Sequence, residues 1–430
     1  MPLNSPSLRR RRLLTAAAGL FLPGCREKTE TKTASARRLV TPGASVPDWS
    51  RLDPWQGKVT HDQFLHLLQD VLTGDMLWSR HIEVRGDSAL IRMATPVDEA
   101  DSTGARYLLK FAPSGSTDTA AAQRYWRRLE ELPPLHDPAR PLENVHIALD
   151  PGHIGGSWAV MEERYSNPPG ASAPVKEGEI NLRAAQVLAP MLEVLGARVS
   201  LVRKSLEPAT PVRPEQLMDE ARASLAQGGV GMTAGNIKRE AERLFYRAYE
   251  VRARGQLVNE TLRPDLVLCL HHNGNVASNS LSNSNHLHVL AHGCIGDDEF
   301  RFDDQRLEGL LRLVQRIPEV ELPLCIAVAR GMAEATGLPP YTYPGRNARP
   351  VAGQPYVWMR NLIANRVYLC PVAFLEPYVM NNPEVIERLA AGDYEGLAPI
   401  AGKERISIYR EYAGGVAAGL KEFFLTRPRA

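Results

Sequence analysis

The sequence predicts an α/β protein: a mostly parallel or mixed sheet with helices on both faces, preceded by a small α+β unit. Three observations carry this. From about residue 143, short apolar β-type runs alternate with longer stretches of helical period, as in a sheet buried on both faces. Residues 51–140 instead read as a helix, short strands around turn residues and a second helix. With 44% hydrophobic and 23% charged residues over 430 positions, the chain is too apolar for disorder and long enough for a sizeable core.

Arg9, Arg10, Arg11 and Arg12 precede an apolar stretch over 13–22 that ends in Leu22-Pro23-Gly24-Cys25. A basic region, an apolar region of this length and small residues at the processing point predict a signal peptide over 1–24. The ending resembles a bacterial lipobox, which implies lipidation of Cys25 and a membrane anchor, and the arginine run loosely resembles a twin-arginine export signal. Residues 25–50, without periodicity, read as a tether. The expected location is the bacterial envelope, on the periplasmic side. Lys plus Arg number 51 against 49 acidic residues; without residues 1–24 the balance becomes 47 to 49, so nothing points to nucleic acid. No apolar run is long enough for a polytopic membrane protein.

In the small unit, Phe64, Leu65, Leu67, Leu68, Val71 and Leu72 share a helical face, with strands expected over 81–84, 89–93 and 107–111 and a helix over 120–132. A proline-rich stretch at 132–142 marks the boundary, and no motif before it carries chemistry. Beyond it, strands are expected over 145–149, 197–202, 266–270, 286–290 and 372–375. Helices are expected from Leu182 to Leu195, closed by Gly196, and over 304–314, 324–336 and 404–424, with a long polar helical segment over 204–262. Cys269, Cys294, Cys325 and Cys370 show no CxxC spacing, and Cys269 and Cys370 lie in apolar runs that suit buried free thiols.

Parallel sheets place their sites at the carboxyl ends of strands. His153 follows the first of these strands, His271-His272-Asn273-Gly274 the third and Glu376 the last, while Glu177 and Glu179 stand near the start of the first helix. Two imidazoles and a carboxylate suit catalytic zinc with its fourth position open to water, and a further carboxylate can take that water's proton. At this level His271 competes with His272, and Glu177 with Glu179.

Residues 145–156 (VHIALDPGHIGG), 176–182 (KEGEINL), 254–259 (RGQLVN), 268–274 (LCLHHNG) and 371–377 (PVAFLEP) occur in this order. Together they resemble the zinc-dependent N-acetylmuramoyl-L-alanine amidases of the type-3 catalytic fold, over about 143–426. The resemblance implies one Zn2+ per chain on His153, Glu177 and His271, with Glu376 as the catalytic carboxylate. It implies hydrolysis of the amide between N-acetylmuramic acid and the L-alanine of the peptidoglycan stem peptide. Another zinc amide or peptide hydrolase on the same scaffold is the nearest alternative, and a catalytically silent wall-binding envelope lipoprotein the next. Ile154 stands where the family has glycine, and Gly178 where it has lysine. Segments 204–250 and 293–365 are expanded and read as a lid or as a surface for an activator protein.

Other residues allow two readings. Asp150 caps the turn or supports His153; Asn273 forms a turn or hydrogen-bonds substrate; Arg254 and Asn259 hold helix against sheet. Arg346, Arg349 and Arg360 either meet stem-peptide carboxylates or are solvated. His286, His288 and His292 alternate along one strand face, as a metal cluster or as ordinary packed histidines.

Overall fold

A computed structural model describes residues 39–94, 104–116, 123–274 and 279–428; the expected signal peptide and most of the tether lie outside them. The first helix, α1 (His61–His66), starts from Thr60, whose side chain accepts from the Gln63 amide while Gln63 reaches back to the Thr60 amide. It runs on as a wider turn over Leu67–Leu72 that buries Leu67, Leu68, Val71 and Leu72. The strands β1 (Ile82–Val84), β2 (Ser88–Arg92) and β3 (Arg106–Lys110) form an antiparallel meander. Their apolar side does not stay apart: Trp49, Phe64, Ile82 and Ile91 belong to the same buried cluster as Ile147 and Leu268 of the large sheet.

That large sheet has seven strands. In chain order its members are β4 (His146–Pro151), β7 (Arg198–Leu201), β8 (Leu266–Leu270), β9 (Leu287–Ala291), β10 (Arg349–Val351), β11 (Gln354–Met359) and β12 (Val372–Pro377); a two-stranded ribbon, β5 (Tyr165–Ser166) with β6 (Val175–Lys176), lies between β4 and β7 in sequence. The spatial order is β10-β11-β9-β12-β8-β4-β7. Strands β7, β4, β8 and β12 run parallel, whereas β9 is antiparallel to β12 and parallel to β11. The amino end of β9 therefore lies at the same edge as the carboxyl ends of β4, β8 and β12.

Alternation splits the sheet's side chains between two faces. Ile147, Leu149, Leu268, Leu270, Val289 and Leu375 join the larger core, which includes residues of helices α2 (Glu177–Val194), Pro318–Thr336 and Ile408–Leu425. Ala148, Val267, Cys269, Leu290, Trp358 and Phe374 face the other way. By the same alternation Asp150, His271, His288 and Glu376 belong to this second face.

The 204–262 segment is a run of helices: α3 (Met218–Gln227), α4 (Ala234–Leu244) and α5 (Glu250–Gln256) are its regular parts. Leu217, Ala221, Leu225, Ile237, Ala241, Leu244 and Phe245 form a small core of their own, and Ile154 enters it fully buried.

Two expectations fail. Over 120–132 the first three residues lie outside those described, and the rest holds only a 3-10 turn, Leu129–Glu131. The chain there is drawn out by tertiary contacts: Trp126 is buried and Arg127 grips Asp265 through Nε at 2.9 Å and Nη2 at 2.7 Å. The last helix begins at Ile408 rather than 404, because Lys403–Arg405 is a strand (β14) paired with Ala398–Ile400 (β13). Cys269, Cys294, Cys325 and Cys370 are free and buried, and among the described residues no helix is long and apolar enough to cross a membrane.

Candidate metal centre

β4 delivers its carboxyl end as Asp150, Pro151 and Gly152, and His153 follows with φ of 61°. A histidine in the left-handed region needs its surroundings to hold it there. Buried Arg254 of α5 supplies that hold: it donates to Asp150 Oδ1 (2.9 Å), to the Pro151 carbonyl (2.8 Å) and to the His153 carbonyl (2.8 Å). Glu250 accepts from the Arg254 Nε at 2.8 Å, and Tyr368 donates its hydroxyl to Asp150. Asp150 thus supports the loop through Arg254. Asn259 accepts from the Leu369 amide (2.9 Å) and donates to the Val367 carbonyl (2.8 Å), tying its helix to the chain leading into β12.

The far side of the loop is fastened by Glu162, a buried carboxylate that accepts the Ile154 amide at 2.8 Å and the Gly155 amide at 2.9 Å. Its other neighbour is His153 Nδ1, 3.8 Å away. Burial raises the Glu162 pKa against the pull of those amides. The two departures from the family pattern meet here. Positive φ falls on Gly155 and Gly156, so Ile154 is free to carry a side chain into the helical core behind it. Gly178 is pressed against that loop, where a Cβ would come within 2.4 Å of the Gly155 nitrogen; no lysine fits.

Glu177 is the first residue of α2, where the helix dipole favours a carboxylate. His271 follows β8, its ring stacked on Phe374 at 4.2 Å between centroids and lying so close to Gly152 that any Cβ there would overlap it. Glu177 Oε2 lies 3.2 Å from His153 Nε2, and Glu177 Oε1 lies 3.1 Å from His271 Nδ1. Among the described residues these three form the one group of histidine, cysteine or acidic side chains whose donor atoms all lie within 4.8 Å of one another. Burial pushes the His153 pKa down to about 4, leaving a neutral imidazole with a lone pair to offer. Burial alone would raise the Glu177 pKa; the two imidazoles hold it well below the usual carboxylate range. Two nitrogen donors and one oxygen donor, convergent and largely shielded, fit a zinc-type cation.

The competitors fall away by direction. His272 turns to the opposite side, its Nδ1 2.7 Å from Asn181 Oδ1 and its ring against Tyr378 and Tyr412. Glu179 pairs with Lys176 Nζ at 3.0 Å. Glu376 sits on β12 one place beyond the Leu375–Leu270 pair, beside His271. Burial raises its pKa to about 7, partly offset by the His271 charge. Asn273 is half-buried, and its backbone joins the end of β8 to the segment after β12 through Tyr378 and Met380. Arg349 is elsewhere, donating to the carbonyls of Gln69 and Asp70, and Arg346 is exposed. His292 is buried where its amide meets Glu321, while His286 and His288 pack on Tyr341.

Two residues at the centre escaped the sequence reading. Glu162 and Arg164 occupy a stretch without periodicity, where nothing marks one charge as buried and the next as exposed. Arg164 Nε donates to His153 Nε2 at 3.2 Å and lies 3.1 Å from Glu177 Oε2.

No family model and no curated relative matches the chain. Among solved structures it is similar to the N-acetylmuramyl-L-alanine amidase Ami1 from Mycobacterium smegmatis, at 16% identity and a TM-score of 0.38 over 66% of this chain and 99% of that one. It is similar to the CwlD amidase from Clostridioides difficile, solved in complex with the GerS lipoprotein, at 13% identity and a TM-score of 0.37 over 66% of this chain and 99% of that one. The catalytic domain of CwlV, an N-acetylmuramoyl-L-alanine amidase from Bacillus (Paenibacillus) polymyxa var. colistinus, gives 15% identity and a TM-score of 0.34 over 65% and 97%. Likeness at this level leaves the functional reading to the residues themselves.

Proposed function

We propose that this protein is a zinc-dependent hydrolase of peptidoglycan that cleaves the amide between N-acetylmuramic acid and the L-alanine of the stem peptide. The observation that carries the reading is the convergence of His153, Glu177 and His271 within 4.8 Å, with Glu376 on the neighbouring strand. These are the residues on which the resemblance of the sequence to the type-3 amidases rests. His153, Glu177 and His271 would hold the cation. When bound, it supplies Lewis acidity towards the amide carbonyl and the attacking water.

The protein's own part is proton handling and orientation. Glu376, with a pKa near neutrality, takes the proton of the attacking water and returns it to the departing alanine nitrogen. The ring stacking of His271 on Phe374 and the Arg254 and Glu162 clamps on the His153 loop keep the donors in place. Asn273, at the end of β8, is placed to hydrogen-bond the substrate. Export and anchoring at Cys25 belong to the same proposal and rest on residues 9–25. A Cys25→Ala variant should leave the membrane fraction; one that stays there refutes the anchor.

The test is a digest of purified sacculi by zinc-loaded protein. The expected products are stem peptides with a free L-alanine amine and glycan with free lactyl carboxylates. Peptides cut elsewhere would make the protein a different amide hydrolase, and intact sacculi with a stoichiometrically loaded centre would mark it as silent.

A further inference from the structure

Beside Glu376 the second face of the sheet carries a polar row that the reaction above does not use. His288 on β9 is the antiparallel partner of Glu376, so their side chains stand on one face with Cβ atoms ~5 Å apart. His288 is buried, and its Nε2 lies 2.8 Å from the Tyr343 hydroxyl. Burial holds the His288 pKa near 3, so the ring beside the Tyr343 hydroxyl is neutral. Next in line is Arg360, just past β11 and, by alternation, on the face of Trp358. Its Nη1 donates to the Tyr343 oxygen at 3.4 Å and its guanidinium lies 5.2 Å from the Tyr343 ring centroid.

Arg360 is half-buried and makes no ion pair with a carboxylate among the described residues, although its charge opposes the burial that raises the Glu376 pKa. Several half-buried arginines of this protein do have such a partner, among them Arg127 with Asp265 and Arg410 with Asp393. An arginine kept planar over a tyrosine, with its remaining N–H groups unspent, is built for a carboxylate from outside.

We propose that Arg360, steadied by Tyr343 and His288, is a substrate-binding residue for the free α-carboxylate of the second residue of the stem peptide. This rests on the amidase reading above. The reach suits it. Two hydrogen bonds separate Arg360 from His288, the neighbour of Glu376, whereas an extended peptide advances ~3.3–3.6 Å per residue. In such a stem the second residue is a glutamate joined through its side-chain carboxyl, so its α-carboxylate is the first negative charge beyond the scissile amide. The site would favour wall carrying that free acid over wall in which it is amidated.

The experiment compares N-acetylmuramoyl-L-alanyl-D-isoglutamate with its D-isoglutamine counterpart, using the zinc-loaded protein and an Arg360→Gln variant checked for zinc content and thermal unfolding. The parent should favour the acid by at least ~10-fold in kcat/KM, chiefly through KM. The variant should bring the two substrates within about twofold of one another, and Arg360→Lys should restore part of the preference. A preference that survives in Arg360→Gln, or a parent that cleaves both substrates equally, overturns the assignment and leaves the amidase reading intact. A loaded parent that cleaves neither removes both. Should the variant not fold, the parent's own ratio decides.

Discussion

Two groups of histidines lie at one sheet, and among the described residues only one of them is placed so that it could hold a metal ion. His286, His288 and His292 come from a single strand and its flanks. His286 and His288 have ring centroids 6.0 Å apart and stack on Tyr341; among the described residues neither shares a hydrogen bond or ion pair with a carboxylate. His153 and His271 come from loops more than a hundred residues apart and converge on Glu177. Burial depresses the pKa of His153, in one group, to about 4 and that of His288, in the other, to about 3. Neutral imidazoles are therefore not what separates them; a shared anionic partner is. Histidines alternating along a strand share a face but point in parallel, whereas ligands must point inward, and that takes chain ends from different strands.

The largest effect expected from this contrast is on metal binding. Glu177→Gln should weaken zinc binding by at least ~100-fold in a competition titration with a chelating dye, while His286→Gln should still bind one ion per chain. Loss of the ion in the second variant would move the centre to β9. Next, Glu376→Gln should lower kcat by ~10²–10⁴ at unchanged zinc content, because it keeps the shape and removes the base. Full activity in that variant would take Glu376 out of the chemistry.

Ile154→Ala tests how the ligand loop is held. The side chain is fully buried in the core of α3 and α4, so the change should cost ~2–5 kcal/mol in urea unfolding. Zinc binding should weaken with it; unchanged affinity would separate the helical segment from the metal loop.

The smallest effect is a pH slope. The folded pKa of His288 is about 3 against ~6.5 in the unfolded chain, so between those values the unfolded state binds the extra proton. The contribution of His288 to stability is complete above pH ~6.5 and is lost as pH falls towards 3, by at most about 1.4 kcal/mol per pH unit. Metal-free His288→Asn should accordingly show a shallower loss than the parent between pH 6.5 and 4. Equal slopes would mean that His288 is not buried neutral.

Much of the sheet could be read from the sequence because apolar runs between turn residues leave little choice: β8 occupies the expected 266–270. Strand alternation favours His271 over His272 in the sequence, whereas Glu177 is preferred to Glu179 there only through the resemblance. What escaped depends on contacts between distant segments. Residues 123–132 have a helical composition, yet Trp126 and Arg127 are claimed by the end of the sheet. The role of Glu162 is fixed by two backbone amides of a loop eight residues earlier, and no pattern of residue types encodes that. Ile154 and Gly178 looked like defects of the motif only until the helical insertion behind the loop was in view.

The most direct test of the metal centre is anomalous diffraction at the zinc edge from a crystal of the zinc-loaded protein. A single strong peak bounded by His153, Glu177 and His271 is the expected result. A peak on the β9 histidines, or none between these three residues, would contradict it.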